Sequence, residues 1–524
     1  MNKTILLVLF ICTSFLLKSE DLTWSEPVIL SEGMISSSLP PEPRMKIDGS
    51  GNTYATWSEV GTIKFKTKPF GGVWSASTTL AAMSRNPRIH VDSSGNTTAI
   101  WITGTTLYAA PRPVGGSFDA ATVLAANALQ AELVGDLNGN LVAVWTTPAG
   151  VQSKTKLSGG SWSSPANTLS STAADNPIVA LGQEGTVVAT WHSVVSGLHI
   201  IRAASKPIGG SWGSEITLSS PARNSVNQHV EVDANGNAAV IWYTFDQTGS
   251  SYSNVVATAV YKSNSGSWSL PTALSNGGYY NPTNTVRLRS RVAFDNQGNA
   301  VAIWSNSYDG RVFSIETSIR YADGNGIWSE PIPIVENNLY SFFNDIVSPN
   351  ARDLLGTYQE ADGSFSQIQA LVANTDTPNG LQWSTTDQIS GERSGFSRNA
   401  LYIVGDTIYS GAIWLQTDGV NGYVAAATAT GTLLQPPSNL EVSQNMFDNG
   451  TFVEYRNTLS WTPSSSPDIS IYHIYRNSLY IATVDGSFTS YIDRNQLENG
   501  IAVYEIASVD SKGTQSFKAS VSFP

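Results

Sequence analysis

The residues best suited to bind a charged ligand occupy one position of an internal repeat. The repeat carries an aromatic residue at Trp57, Trp101, Trp145, Trp191, Trp242, Trp304, Tyr358 and Trp414. Thirteen residues before each aromatic stand, in order, Arg44, Arg88, Glu132, Ile178, His229, Arg291, Asp345 and Leu401. The forked guanidinium group of arginine matches carboxylate and sulfate groups, so the three arginines could clamp an anion. The alternative is that the arginines and the two acids neutralise one another in a ring of ion pairs.

Further polar residues follow two positions later in three of the repeats, at Lys46, His90 and Glu231. His90 and His229, together with Glu231, could form a metal site or an acid–base pair. The sequence contains no His-Glu-x-x-His, no Gly-x-Ser-x-Gly and no phosphate-binding glycine loop. We therefore predict no metal and no cofactor, and we assign no catalytic residue.

The repeat also predicts the fold. Each unit combines an Asp-x-x-Gly-Asn block with a later Gly-Gly-x-Trp-Ser block or a relative of it, and it holds four runs of alternating polar and apolar residues. In the first unit these runs are 44–48, 53–58, 62–69 and 73–80. Four antiparallel strands repeated eight times predict an all-β fold, an eight-bladed β-propeller over residues 20–434 with the first strands around an axial channel. A seven-bladed ring is the alternative if the unit around Tyr358 is incomplete. Residues 24–30 would supply the fourth strand that the last unit lacks.

The turns and the tryptophans of the repeat each allow two interpretations. The Asp-x-x-Gly-Asn turns place oxygens at alternate positions, as calcium loops do, but apolar strand residues follow where a calcium loop needs an acid. A type I turn with a following glycine explains the same residues. The repeat tryptophans could stack on sugars, but a residue needed in every unit is more simply explained by packing between blades. Sialidase propellers carry Asp boxes with a different spacing, so we assign no such activity.

The longest predicted loops open on the face where the first strands begin. One of them, 275–289, carries Tyr279 and Tyr280, and another, 305–313, carries Tyr308 and Arg311. A third loop, 390–399, carries Arg398, and 243–254 is predicted as a further loop. Aromatic and arginine side chains are typical of binding surfaces, so we predict that these residues and the channel residues Arg44, Arg88, Arg291, His90 and His229 contact a ligand. Neutral variation of surface loops is the alternative.

The last part of the chain has a different pattern. Residues 435–524 resemble a fibronectin type III domain, on the strength of Leu459-Ser460-Trp461, the run 472–476, Leu497…Gly500…Tyr504 and the run 507–513. The resemblance implies a β-sandwich in which Trp461 is the buried strand tryptophan and 497–504 is the tyrosine corner. It also implies a spacer or adhesion module.

Composition limits the function. Of 524 residues only 13% are charged, with a net charge of -12, which disfavours a coiled coil, a disordered chain and a nucleic-acid binder. Residues 1–19 resemble a secretory signal peptide with an apolar run too short to span a membrane. The only cysteine, Cys12, lies in that run, so the mature chain would have no disulfide. This favours a secreted, periplasmic or cell-surface bacterial protein.

These observations favour a non-enzymatic binding or adhesion protein. Its partner would be a glycan or an extracellular protein, acidic in character, held on the propeller face. The alternative is an extracellular carbohydrate-active enzyme, a hydrolase or lyase that uses Glu132, Asp345, Glu231 or His229 at the channel mouth. A scaffold without a small ligand is a third interpretation, and the oligomeric state is open.

Overall fold

Every regular element of the described residues is a β-strand. The protein is represented by a computed structural model, and no helix in its described part is long and apolar enough to cross a membrane. The predicted signal peptide, 1–19, lies outside the described residues. The structure describes residues 22–33, 42–248, 251–264, 266–280, 289–307, 313–322, 326–338, 342–347, 353–361, 366–375, 381–383, 387–390, 394–404, 407–418, 421–432, 434–448, 450–477, 479–511 and 515–523.

The repeat folds into eight antiparallel sheets, numbered here in chain order. Two short strands precede them, β1 (Thr23–Trp24) and β2 (Val28–Ile29). Sheet 1 consists of β3 (Arg44–Ile47), β4 (Thr53–Glu59), β5 (Thr62–Lys68) and β6 (Thr78–Ala81), and sheet 2 of β7 (Ser84–Val91), β8 (Thr97–Thr103), β9 (Thr106–Arg112) and β10 (Thr122–Ala125). Sheet 3 consists of β11 (Gln130–Gly135), β12 (Leu141–Thr147), β13 (Gly150–Lys156) and β14 (Asn167–Ser170), and sheet 4 of β15 (Ala174–Leu181), β16 (Thr186–Val195), β17 (Leu198–Pro207) and β18 (Ile216–Thr217).

Sheets 5 to 8 have the same plan, and β1 and β2 join the last of them. Sheet 5 consists of β19 (Asn224–Val232), β20 (Ala238–Thr248), β21 (Ser251–Lys262), β22 (Thr272–Ala273) and β23 (Gly278–Tyr280), and sheet 6 of β24 (Ser290–Phe294), β25 (Ala300–Asn306), β26 (Phe313–Arg320) and β27 (Ile332–Asn338). Sheet 7 consists of β28 (Phe342–Val347), β29 (Asp353–Ala361), β30 (Ser366–Asn374), β31 (Gln382–Trp383) and β32 (Asp387–Gln388), and sheet 8 of β33 (Ser394–Val404), β34 (Thr407–Thr417) and β35 (Gly422–Thr432).

The first strands of these sheets contact one another in cyclic order, from β3 through β7, β11, β15, β19, β24, β28 and β33 back to β3. This arrangement is a β-propeller whose first strands surround a central channel. The ring is closed as the sequence predicts, because β1 and β2 pair antiparallel with β35, with Trp24 opposite Ala429 and Val28 opposite Ala426. Leu30 follows these strands and is completely buried with Trp57 of sheet 1 and Ile413 of sheet 8.

The repeat aromatics pack between neighbouring sheets. Six of the tryptophans are completely buried: Trp57, Trp145, Trp191, Trp242, Trp304 and Trp414. Trp101 and Tyr358 are nearly completely buried. Trp145 of sheet 3, for example, contacts a cluster that includes Ile100 and Leu107 of sheet 2. The packing interpretation is therefore confirmed, and sugar stacking by these residues is excluded by their burial.

The Asp-x-x-Gly-Asn turns are closed by their own hydrogen bonds. In the first, the Gly51 amide donates to the Asp48 carbonyl at 3.0 Å, and Gly51 has φ of 77°, which a glycine adopts without strain. The Asp48 carboxylate accepts the Ser50 and Asn52 amides, each at 2.9 Å. The Asn52 side chain in turn accepts the Phe70 amide at 3.1 Å, which ties this turn to the next loop of the sheet. The turn interpretation holds, since turn donors occupy the carboxylate.

Two predicted boundaries are wrong. The fourth strand of sheet 1 begins at Thr78 rather than at residue 73, because the segment before it is held to the third strand only by isolated bonds such as Ser75 amide to Thr67 carbonyl. The loop predicted over 243–254 is wrong for its described residues, 243–248 and 251–254, which lie in the paired strands β20 and β21.

The described residues within 21–376 and 387–432 form one compact unit, and 433–524 belong to a second. The second unit has two sheets, one of β36 (Ser438–Asp448), β37 (Val453–Thr462) and β40 (Ser490–Gln496), the other of β38 (Ile469–Arg476), β39 (Leu479–Asp485), β41 (Ala502–Asp510) and β42 (Gln515–Phe523). Trp461 and Tyr504 are buried in its core. The Tyr504 hydroxyl donates to Asp493 at 2.7 Å, whereas Leu497 is exposed.

Replacing Leu30 by alanine tests ring closure. Leu30 is 0% exposed and lies against sheets 1 and 8, so Leu30→Ala should lower the free energy of unfolding by about 2–5 kcal/mol. Val28→Ala is the matched control, since Val28 belongs to the same segment but is 42% exposed, and it should have little effect. Urea denaturation of both variants measures the difference. Equal stability of the two variants would mean that this segment does not close the ring.

Candidate functional site

The channel is lined by one residue from the first strand of each sheet. Each of these residues lies opposite the residue of the second strand that precedes the repeat aromatic. Arg44, for example, lies opposite Thr56, and Arg88 lies opposite Ile100. We call the set the channel ring: Arg44, Arg88, Glu132, Ile178, His229, Arg291, Asp345 and Arg398. In sheet 8 the register selects Arg398, opposite Ile413, and the prediction of Leu401 is wrong.

The error in sheet 8 has a simple cause. The hairpin of β33 and β34 extends further than its counterparts, so Arg398 lies sixteen residues before Trp414 instead of thirteen. Arg398 was predicted on a loop, and the structure places it inside β33. The ring thus contains a fourth arginine, which the fixed residue count missed.

Arg88 is held by two carboxylates. Its Nε and Nη2 atoms donate to Glu132 at 2.7 and 2.6 Å, and Nη1 donates to Glu42 at 2.8 Å. Burial opposes the charges of all three groups, but the charge and hydrogen bonds of Arg88 outweigh it and lower the pKa of Glu42. Each of the three side-chain nitrogens of Arg88 therefore donates to a carboxylate. Glu42 was not among the predicted channel residues, although it lies two residues before Arg44.

Asp345 receives the charges of two arginines. Arg291 Nε donates to Asp345 Oδ1 at 3.3 Å, and Arg398 Nη1 lies 4.0 Å from the same oxygen. The Asn399 amide donates to Oδ2 at 3.1 Å. Burial would raise the pKa of Asp345, but Arg398 and Arg291 outweigh this and hold it below its ordinary value. Asp345 thus lies near two cations on this side of the channel.

Arg44 and Lys46 have weaker acidic contacts. The Arg44 Nη2 atom is 3.9 Å from Glu132, whose oxygens already accept the Arg88 bonds. Burial, followed by repulsion from Arg88 and Arg398, lowers the pKa of Arg44 to about 9. Burial within the channel also lowers the pKa of Lys46, although Lys46 is classed as exposed to water. These two cations are the best placed to accept an outside anion.

The two predicted histidines differ in accessibility. His90 is buried, and its Nε2 atom lies 2.9 Å from the Asp136 carbonyl of the next sheet. His229 lies on the channel ring, with Nδ1 3.4 Å from the Val292 amide. Burial lowers the pKa of His90 to about 4 and that of His229 to about 3, so both rings are neutral at physiological pH. The structure does not bring His90 and His229 together as metal ligands.

Among the described acids of the channel, Glu231 is the one whose pKa moves toward neutrality. It follows His229 by two residues on β19, and burial raises its pKa to about 7, with Asp345 adding to the rise and Lys46 opposing it. A carboxyl group with such a pKa can donate or accept a proton near neutral pH. Glu132 and Asp345 are engaged by arginines, so of the four residues named for acid–base chemistry Glu231 has the suitable environment.

The predicted loop residues are less informative. Tyr308 and Arg311 lie outside the described residues. Tyr279 and Tyr280 form part of β23, whose Tyr280 pairs with Tyr252 of β21, and only their main chain is described. Nothing in the structure therefore tests their role in binding.

Comparisons with known proteins indicate no family. No protein-family model matches the sequence, and no curated protein matches it. Solved structures that are similar include virginiamycin B lyase from Staphylococcus aureus, at 10% identity and TM-score 0.38 over 64% of this chain and 96% of that one. Polysaccharide lyase Uly1 matches at 9% identity and TM-score 0.40 over 77% and 91%. YCF48 with a bound peptide matches at 14% identity and TM-score 0.35 over 80% and 98%. The fold assignment rests on strand pairing and not on these similarities, which indicate no ligand or reaction.

The raised pKa of Glu231 makes stability depend on pH. Between its ordinary pKa of 4.5 and about 7 the folded protein keeps a proton that the unfolded chain has released, so stability falls as pH rises through this window. The glutamine of Glu231→Gln cannot ionise, so this variant should not lose stability for this reason as pH rises. Between pH 4.5 and 8 its free energy of unfolding should therefore rise relative to that of wild type by up to about 3 kcal/mol. His229, whose lowered pKa acts in the opposite sense, is present in both proteins. Urea unfolding at each pH measures the difference, and parallel pH profiles would contradict the assignment.

Proposed function

We propose that the protein is exported and consists of an eight-bladed propeller over 20–434 and a fibronectin type III domain over 435–524. Eight sheets with cyclic contacts support the blade number. Two sheets of three and four strands, with a buried Trp461 and Tyr504, support the second domain, although Tyr504 bonds to a side chain where that family uses the main chain. The apolar run in 1–19 and the lack of any other cysteine support export.

We further propose that the propeller is a binding module for an anionic group of a glycan or of an extracellular protein. One observation carries this proposal: among the described residues of the channel, cations outnumber carboxylates. The cations are Arg44, Lys46, Arg88, Arg291 and Arg398, and the acids are Glu42, Glu132, Asp345 and the partly protonated Glu231.

The imbalance is local. Arg88 donates hydrogen bonds to two carboxylates, whereas Arg44 approaches the Glu132 carboxylate only at 3.9 Å. Lys46 interacts electrostatically with Glu231 and Asp345. Burial disfavours the charged forms of both groups, so an anion that enters the channel relieves a cost that the folded protein already bears. In a channel of low dielectric constant this attraction exceeds that of a surface pair. A terminal sulfate or carboxylate suits the site.

Neutralising Arg44 and Lys46 tests the binding proposal. The double variant Arg44→Gln/Lys46→Gln should bind dextran sulfate or polygalacturonate at least tenfold more weakly than wild type, because both substitutions remove positive charge from the channel. Wild-type affinity should also fall with added salt, since the attraction is electrostatic. Isothermal titration calorimetry measures both effects.

The matched control is Lys64→Gln/Lys66→Gln. These lysines lie on β5 of the same sheet, away from the channel, and their removal changes the net charge equally. If the control weakens binding as much as the channel variant, the interaction is a nonspecific charge effect. If wild type binds none of a panel of acidic polysaccharides, the proposal fails.

A hydrolase or lyase is the second candidate, and the raised pKa of Glu231 is the observation that favours it. Glu231 would serve as the proton donor or acceptor, while the arginines would hold the substrate's acidic group. Incubation with acidic polysaccharides should then release new reducing or unsaturated ends, and Glu231→Gln should abolish the release with binding retained. Absence of product from wild type on substrates that it binds would reject this candidate and leave the binding module.

A further inference from the structure

Two histidines and an aspartate converge on one face of sheet 4, outside the channel ring. Asp175 lies on β15, His192 on β16 and His199 on β17. Strand register places Asp175 directly opposite His192 and His199 opposite Val194, so His192 and His199 are diagonal neighbours across one hairpin. Their ligand atoms all lie within 4.8 Å of one another, and this is the metal-type cluster found in the described part of the chain.

The distances match those around a tetrahedral metal ion. His192 Nδ1 and His199 Nδ1 are 3.2 Å apart. Two nitrogens bound to Zn²⁺ at about 2.0–2.1 Å in tetrahedral geometry lie roughly 3.3 Å apart. Asp175 Oδ1 is 2.6 Å from the same His192 nitrogen, so the carboxylate needs only a small outward shift to take the third position. Its side chain is 51% exposed and has room for this movement.

Protein hydrogen bonds alone explain the cluster poorly. His192 Nδ1 can carry one hydrogen, yet it faces both the carboxylate and the second imidazole nitrogen. Asp175 Oδ1 is buried and, beyond its 2.6 Å contact with His192 Nδ1, has no hydrogen-bond partner within the described residues. Three electron-rich atoms thus point into one small space, and a cation shared among them would satisfy all three.

The surrounding structure holds the ligands in place. Each sits on a strand, which fixes its direction better than a loop would. The His199 amide donates to Asn224 Oδ1 at 3.0 Å, which links this part of β17 to sheet 5. His192 is buried, whereas Asp175 is exposed and His199 is partly exposed, so the fourth coordination position opens toward water.

We propose that Asp175, His192 and His199 bind a divalent transition-metal ion, Zn²⁺ by preference. Two imidazoles and one carboxylate form a donor set that suits Zn²⁺, Ni²⁺ and Cu²⁺ and disfavours Ca²⁺ and Mg²⁺, which need more oxygen ligands. Three protein ligands with a water in the fourth position make an open site. The site is independent of the anion site proposed for the channel.

Titration of tag-free protein with Zn²⁺ tests the inference. Wild type should bind one equivalent more tightly than Asp175→Asn or His199→Ala, by at least a hundredfold, and should not bind Ca²⁺ there. Co²⁺ in place of Zn²⁺ should give the intense visible absorption of a tetrahedral site, which lacks a centre of symmetry. Both substituted residues are at least partly exposed, so the variants should keep the thermal midpoint of metal-free wild type.

His473→Ala is the matched control, because His473 lies in the C-terminal unit with its Nδ1 2.7 Å from Gln515 Oε1. It should bind Zn²⁺ and Co²⁺ as wild type does. The inference is wrong if wild type binds no stoichiometric Zn²⁺, or if Asp175→Asn and His199→Ala, both folded, bind it undiminished. In either case the cluster is only a hydrogen-bonded carboxylate and histidine pair.

Discussion

The fold depends on burial of a large aromatic side chain between each sheet and its neighbour. A sheet with apolar residues on both faces is stable only when both faces are covered, so an open stack would leave Trp57 of the first sheet without a partner. Ring closure provides that partner in Ile413 and Val424 of the last sheet. Strands β1 and β2 pair with β35 and hold this contact. Because the ring is closed, the eight first strands face a common channel.

Closure also creates the electrostatic problem of the channel. Eight side chains project into one narrow space, and charged groups there lose much of their hydration. Among the described residues, ion pairs offset this cost unevenly: two carboxylates surround Arg88, Asp345 lies near both Arg291 and Arg398, and Arg44 approaches a carboxylate at 3.9 Å. These contacts fit the interpretation of a self-compensating ring, and the anion clamp stays a prediction. Most of it is self-compensating, and its remaining positive charge forms the candidate anion site.

Sequence reasoning worked where the structure keeps a fixed spacing and failed where a strand changes length. The turn around Asp48, the burial of the tryptophans and the N-terminal closing strand follow from repeated residue patterns. Arg398 was predicted as a loop residue and not as a member of the channel ring, because the hairpin that carries it is longer than its counterparts. The group of Asp175, His192 and His199 was not predicted, because the three residues meet only through the register of three strands, which no local sequence pattern reveals.

A β-bulge explains why that register was hidden. Between Asp175 and Ile178 the pairing of β15 with β16 shifts, and Asn176 in the bulge adopts φ of 50°, a conformation that asparagine tolerates better than most residues. The extra residue puts Asp175 on the same face as Ile178, although strict alternation would place it on the opposite face. Equivalent asparagines stand at Asn86 and Asn227, with shifts of register at the same point of β7 and β19. The bulge is therefore part of the repeat, and in sheet 4 it aims a carboxylate at His192.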